Sequence, residues 1–209
     1  MNSCITCKEA IEHCMSTHTF AFAHLYGDEK IMDMHIHNCC EVYYSISGGK
    51  QFLIDHCLYD IRPGDLFLIN QFESHHLTQI DQQTHERIIL SIDPEYLSKL
   101  STGVTDLGHC FSFRDTRMPH QIHLSPKEQN RFMYFIHELH DDGGMGEDLL
   151  DQAIFLELMV FLNRAFAARC TDAAAPAQAP SSNYHAQVDA ILSYINSNIG
   201  APVCPRIFL

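Results

Sequence analysis

The stretch His35-Ile36-His37-Asn38-Cys39-Cys40-Glu41-Val42-Tyr43 holds the residue types from which a metal or ligand site is built. Imidazole nitrogens and a carboxylate bind the same divalent ions, and a thiolate adds a softer ligand. Side chains alternate faces along a β-strand, so a strand here points His35, His37, Cys39, Glu41 and Tyr43 the same way. Residues two apart on a strand lie about 7 Å apart at Cα, which lets two imidazoles converge on one ion at roughly 2.0–2.1 Å. Glu41 can bring a carboxylate oxygen to the same point. A fourth ligand must come from another strand, and His75, after the run LFLINQFES, is the candidate; His76 beside it falls on the opposite face. The expected metal set is His35, His37, Glu41 and His75, with Zn, Ni, Fe or Mn as the candidate divalent transition metal, since three imidazoles and a carboxylate do not select among them. Without a metal the same side chains make a polar pocket lining.

Other residues have narrower claims. Cys39 shares the inward parity and reads as a soft ligand, a redox thiol or a small buried hydrophobe. Cys4-x2-Cys7 with His13 and Cys14 is half of a zinc motif, and an N-terminal helix with reduced thiols is the plainer reading. His137 and His140, three apart on an expected helix, could chelate, but suit a solvent-facing helix end. Tyr43, Phe52, Phe67 and Phe72 are candidates for pocket lining or core.

These residues must be positioned by β-structure. Alternating runs occupy 19–24, 31–37 and 85–93, with further segments within 41–47, 51–60 and 64–69. Gly48-Gly49 reads as a hairpin turn between two of them, and Arg62-Pro63-Gly64-Asp65 as another turn. Short strands at this spacing predict a sandwich or small barrel. From residue 125 the pattern becomes helical. Ser125-Pro126-Lys127-Glu128 is a capping box, followed by Phe132, Phe135, Ile136 and Leu139 at helical spacing. Asp141-Asp142-Gly143-Gly144 breaks that helix. A longer one, apolar around much of its girth, is expected from about 147 to 169. Residues 171–183 are Ala/Pro/Ser-rich and read as a linker. Val188, Ile191, Leu192, Ile195 and Ile199 then mark a last amphipathic helix.

The 209 residues carry 13 Lys+Arg against 26 Asp+Glu, a formal charge of -13. That balance lacks the cationic surface needed to neutralise phosphates, so these residues by themselves are poor nucleic-acid binders. Hydrophobic residues make up 46%, enough for a core. No apolar run is long enough to span a bilayer, and the N-terminus has no apolar signal region, so no membrane partner is expected. Nine cysteines, an odd count, then read as reduced thiols in a cytoplasm.

The spacing H-x-H-x3-E-x6-G, here His35, His37, Glu41 and Gly48, resembles the first motif of the cupin superfamily. Pro63-Gly64-Asp65-Leu66-Phe67-Leu68-Ile69-Asn70-Gln71-Phe72-Glu73-Ser74-His75 resembles the second, with Asn70 where Pro is usual, Phe72 where Gly is usual, and His75 at the ligand position. Over nearly its full length the chain looks like the sensor half of an AraC-type transcription regulator: a barrel near the N-terminus, two helices, a linker, and ILSYINSNI (191–199), which resembles the opening helix of that family's DNA-binding domain.

The resemblance implies a mainly β fold with C-terminal helices: a cupin-like double-stranded β-helix (jelly-roll) barrel over 1–122, then an α-helical dimerisation segment over 123–170. The linker spans 171–183, and 184–209 starts a DNA-binding domain that these residues do not complete. The implied function is small-molecule sensing and homodimerisation, with DNA bound only through a C-terminal helix-turn-helix domain and no catalysis. A sugar is the effector the family name suggests. The residues expected to touch it are His35, His37, Cys39, Glu41, Tyr43 and His75. A metal-dependent cupin enzyme, of dioxygenase or isomerase type, is the alternative, and a dimerisation module with a solidly filled barrel is a third reading.

Overall fold

In the computed structural model, residues 6–27, 34–48, 50–80, 85–112, 120–139 and 144–172 are described. They open with a helix, α1 (Cys7–Thr17), whose N-cap Thr6 and third residue Glu9 form a capping box. The strands are β1 (Phe20–Tyr26), β2 (Cys40–Ser45), β3 (Lys50–Ile54), β4 (Cys57–Ile61), β5 (Asp65–Ile69), β6 (His75–Ile80) and β7 (Glu86–Ile92). Two short helices, α2 (Pro94–Leu100) and α3 (His109–Ser112), precede β8 (Gln121–His123). The longer helices α4 (Pro126–Glu138) and α5 (Glu147–Asp172) follow.

Two antiparallel sheets result, one in the order β1-β7-β2-β5-β8 and the other β4-β3-β6. The mainly β, cupin-like class with C-terminal helices is the one expected. Alternation sorts the larger sheet into two faces. Ala21, Ala23, Tyr43, Phe67, Ile69 and Ile89 face the smaller sheet and pack with its Phe52, Ile54, Ile61 and Leu77. Phe20, Phe22, Val42, Tyr44, Leu66, Leu68, Ile88 and Leu90 face outward and are covered by α4 and α5. Phe20 stacks on Phe155 at 4.3 Å between ring centroids, and Tyr44 packs on Phe132 at 4.6 Å. The stripe Phe132, Phe135, Ile136 and Leu139 is buried as its spacing predicts. On α5, Phe155, Leu158, Met159 and Leu162 are buried, whereas Leu149 and Leu150 are exposed. α1 lies against β1 and β7, placing Ala10 and Cys14 in the inner core over the small residues Ala21 and Ala23.

Ser125 starts α4 as expected, its N–H and Oγ–H both donating to Glu128 Oε2 at 2.8 and 2.7 Å. Arg169, near the end of α5, forks onto the same carboxylate at 2.7 and 2.6 Å and donates to the His123 carbonyl at 3.0 Å. One guanidinium thereby ties α5 to α4 and to the last strand.

Several expectations are corrected. Gly48-Gly49 is not a hairpin turn: β2 pairs with β5 and β7, β3 with β4 and β6, so the chain crosses between sheets there. Gly48 has φ +71, and a Cβ on it would meet Pro63 Cδ at 2.6 Å, so packing against the Arg62–Asp65 turn demands glycine rather than a hairpin. The alternating run within 51–60 is two strands, β3 and β4, because Asp55 turns the chain with φ 50. The periodicity does not signal α2, although Asp93-Pro94, with the Asp93 carboxylate accepting the Glu95 N–H at 2.8 Å, is a legible helix start. The expected linker at 171–183 starts too early, since α5 continues through Asp172. Residues 141–143 of the expected breaker, the rest of that linker and the amphipathic segment at 184–209 lie outside the described residues. Among the described residues no helix is long and apolar enough to cross a membrane.

Candidate functional site

The histidine site is not the continuous strand its parity suggests. β2 begins only at Cys40, and residues 36–39 belong to no strand. His35 is instead held by an isolated antiparallel bridge to His75, with paired backbone hydrogen bonds of 3.3 and 3.1 Å. The His37 carbonyl accepts the Phe72 N–H at 2.8 Å, fixing this segment to the β5–β6 connection. Phe72 has φ 63, so the position where the second motif usually carries Gly is left-handed in this chain.

This scaffold brings the expected ligands together. His35, His37 and His75 each offer a ring nitrogen, all within 4.8 Å of one another. Glu41 Oε2 lies 3.1 Å from His37 Nε2 and 3.8 Å from His75 Nε2. Glu41 and His75 are buried. Each of two rings is aimed by a backbone carbonyl: His37 Nδ1–H donates to Cys39 O at 3.0 Å, and His75 Nδ1–H to Glu73 O at 2.9 Å. Both contacts turn Nε2 to the centre, and in neutral His75 the contact also fixes the tautomer.

The electrostatics follow from burying one carboxylate among imidazoles. Burial disfavours ionisation of Glu41, but the hydrogen bond from His37 and the fields of His75, His37 and His35 outweigh it and hold its carboxyl below the ordinary range. Burial also works against a charge on His37, yet contact with Cys39 and Glu41 pushes it up to about 10. His75 moves the other way: burial dominates and keeps it neutral. With Nδ1–H committed to a carbonyl, its Nε2 presents a lone pair that is buried and has no hydrogen-bond partner.

That orphaned lone pair is the best test of whether a metal fits. A buried acceptor without a donor is costly, and a cation relieves it. Three imidazoles and a carboxylate are a sufficient donor set for a divalent transition metal. The residues present fit such an ion.

Cys39 is buried beside the site, its Sγ 3.3 Å from His37 Nδ1. Tyr43 lies in the next layer of the interior, 5.0 Å from Phe52 and 5.9 Å from Phe67 by ring centroids, and Phe52 lies 5.9 Å from His75. Phe72 is exposed and lines no core. His76 is half-buried on the other face from His75. The N-terminal zinc site does not assemble among the described residues, since Cys14 is buried while His13 on the same helix is exposed, and Cys4 lies outside them. His137 is exposed, and His140 lies outside the described residues.

Two features escape motif reading. Ser91 is the β7 register partner of Glu41, and its buried Oγ has no hydrogen-bond partner. Its inward parity with Ile89 was the available signal. Tyr59, His120 and Glu73 form a chain, with Tyr59 Oη 3.0 Å from His120 Nδ1 and His120 Nε2 3.3 Å from Glu73 Oε2. Glu73 is the residue whose carbonyl aims His75. No local pattern marks His120, because only the long-range pairing of β8 with β5 brings it there.

A two-sheet antiparallel β-fold with a partly buried His/His/Glu/His cluster is cupin-like. The sequence matches the AraC-like ligand binding domain over residues 19–159, and the chain belongs to that family. Similarity to solved structures is local. DMSP lyase DddQ from Ruegeria pomeroyi DSS-3 is 21% identical over 35% of this chain and 38% of its own, with a TM-score of 0.32. A point mutant of Bacillus subtilis oxalate decarboxylase OxdC is 21% identical over 36% of this chain and 21% of its own, with a TM-score of 0.33. A cupin 2 conserved barrel domain protein from Rhodopseudomonas palustris is 16% identical over 39% of this chain and 65% of its own, with a TM-score of 0.32. In each case the chain spans less than two thirds of the matched protein's length. No curated protein matches.

Proposed function

We propose that this chain is the effector-sensing and dimerisation part of an AraC-type transcription regulator and is not itself an enzyme. The observation that carries this reading is the convergence of half-buried His35 and His37 with buried Glu41 and His75 inside a domain of that family. These four hold a divalent transition metal (Zn, Ni, Fe or Mn), which when bound supplies a Lewis-acidic anchor for effector oxygens. The effector is a small oxygen-bearing molecule such as a sugar. Glu41 sets the negative field, the carbonyls of Cys39 and Glu73 hold the rings, and the Ser91 hydroxyl supplies a donor that awaits an acceptor. Cys39 and Tyr43 complete the lining.

The homodimer forms through the helical segment 123–170, where α5 leaves Leu149 and Leu150 exposed and Leu156, Val160 and Phe161 line a groove against α4. DNA contact belongs to a helix-turn-helix domain that these 209 residues do not include, in keeping with the charge of -13. Effector binding controls DNA binding only if it favours one arrangement of barrel and helices over another. The protein acts in the cytoplasm.

The test is thermal unfolding of protein purified without a metal-affinity resin, titrated with Mn, Fe, Ni and Zn salts. At a hundred times Kd, a ligand of the folded state adds about 2.7 kcal/mol, which for a chain of this size is roughly 5–11 °C in Tm. His75→Ala should lose that shift. An equal shift in wild type and variant, or no shift with any of the ions, refutes the metal assignment. The intact His/His/Glu/His set also favours a second reading, a metal-dependent cupin enzyme. Stoichiometric iron or manganese with turnover of a substrate would support it over sensing.

A further inference from the structure

His75 is fully buried, and its ring takes its direction from a neighbouring peptide unit: the Glu73 carbonyl accepts the Nδ1–H at 2.9 Å. That carbonyl is one end of the Glu73–Ser74 peptide. A trans peptide holds its C=O and N–H on opposite sides of one plane, so whatever grips the N–H also aims the carbonyl. The grip comes from Asp55. Its Oδ1 accepts the Ser74 N–H at 3.0 Å and the Ser74 Oγ–H at 3.2 Å. Its own N–H donates to the Ser74 carbonyl at 2.6 Å, so Asp55 holds the peptides on both sides of Ser74 just where β6 begins. The Glu73 side chain is held separately, accepting the Asn70 N–H at 2.6 Å.

Asp55 is brought there by the turn between β3 and β4. Ile54 pairs with Cys57 across that turn and with His75 across the sheet, so residue 55 lies beside the start of β6. The turn gives it φ 50, a left-handed value that favours glycine. A glycine would suit this backbone but would leave the Ser74 N–H without its acceptor. The chain carries a carboxylate at that position instead, and the carboxylate is used.

We infer that Asp55 is a positioning residue for the histidine site: by fixing the Glu73–Ser74 peptide it holds His75 in the tautomer and orientation that turn Nε2 toward the other ligands. The inference rests on the assignment of His75 to the site, and it adds to that site a residue from the smaller sheet that neither motif contains.

The first readout needs no metal. In metal-free protein at about pH 8, long-range proton–nitrogen NMR should show His75 as the single Nδ1–H tautomer, with the Ser74 amide protected from exchange. Asp55→Gly, which fits φ 50 and deletes the acceptor, should give a mixture of tautomers at His75. Asp55→Asn tolerates the same φ, keeps Oδ1 and should restore the wild-type signal. The second readout is Zn affinity, by competition with a chromophoric chelator. Asp55→Gly should bind about 10–100-fold more weakly, and Asp55→Asn should stay near wild type. Arg169→Met, which loosens the fold far from this turn, should alter neither readout. The inference is overturned if Asp55→Gly keeps the single tautomer, or if Arg169→Met disturbs His75 as much. It is equally overturned if wild type shows mixed tautomers or an unprotected Ser74 amide, so a variant that folds poorly does not decide the matter. If wild type binds no ion, the metal reading falls and the ring readout alone decides this one.

Discussion

Replacing Arg169 with Met removes the guanidinium that forks onto Glu128 while keeping the apolar stem. The Arg169 hydrogen bonds, with those from Ser125, draw the Glu128 carboxyl from 4.5 down to about 2. At about 1.4 kcal/mol per unit of pH, that depression is worth roughly 3.5 kcal/mol as an upper bound. The two side chains are 31% and 26% exposed, so solvent screening reduces it, and the Ser125 donors remain in the variant. Arg169→Met should therefore cost about 1–2 kcal/mol at pH 7. A depressed carboxyl contributes its full stability above the unfolded value and loses it as pH falls toward the folded one. The window is thus about pH 4.5 down to about 2. At pH 3.5 about two fifths of the gap between wild type and variant should have gone. Urea unfolding of both proteins at pH 7 and pH 3.5 measures it. A gap of the same size at both pH values, or below about 0.3 kcal/mol at pH 7, refutes the ion-pair account.

Gly48→Ala should destabilise by about 2 kcal/mol or more through a strained backbone plus a clash, because φ is +71 and the new Cβ meets Pro63; equal urea midpoints would refute this. Phe72→Gly should stabilise by about 0.5–1 kcal/mol, since relief of a left-handed non-glycine residue exceeds the entropy glycine adds, and Phe72 is exposed; a lower Tm would contradict it. Phe67→Ala should cost about 3–5 kcal/mol by leaving a cavity among Tyr43, Phe52 and Tyr59, and a loss under about 1 kcal/mol in calorimetry would mean that the inner core is loose there.

The strands were legible as short apolar runs bounded by turn residues, and in the larger sheet those runs are near-continuous because it is buried on both faces. What alternation does not record is which strand lies beside which. A pair of glycines between two strands looks alike whether the chain folds back or crosses over, and only the long-range pairing of β2 with β5 and β7, and of β3 with β4 and β6, decides it. The site was legible in its members but not in its support. The motif names His35, His37, Glu41 and His75, yet His37 and His75 are aimed by carbonyls, and a carbonyl leaves no mark in a sequence. His120 and Cys14 reach the neighbourhood through pairings between distant segments. Cys14 was readable as chemistry, but half a zinc motif pointed to a site that the helix geometry separates.

The five-stranded sheet is a party wall. Along β5, Phe67 and Ile69 belong to the chamber that holds the histidines, while Leu66 and Leu68 press on α4 and α5. Neighbours in sequence on one strand cannot move independently, and both sides are buried. Whatever enlarges or tightens the inner room must therefore shift the footing of the helices outside it, with no dedicated lever between them.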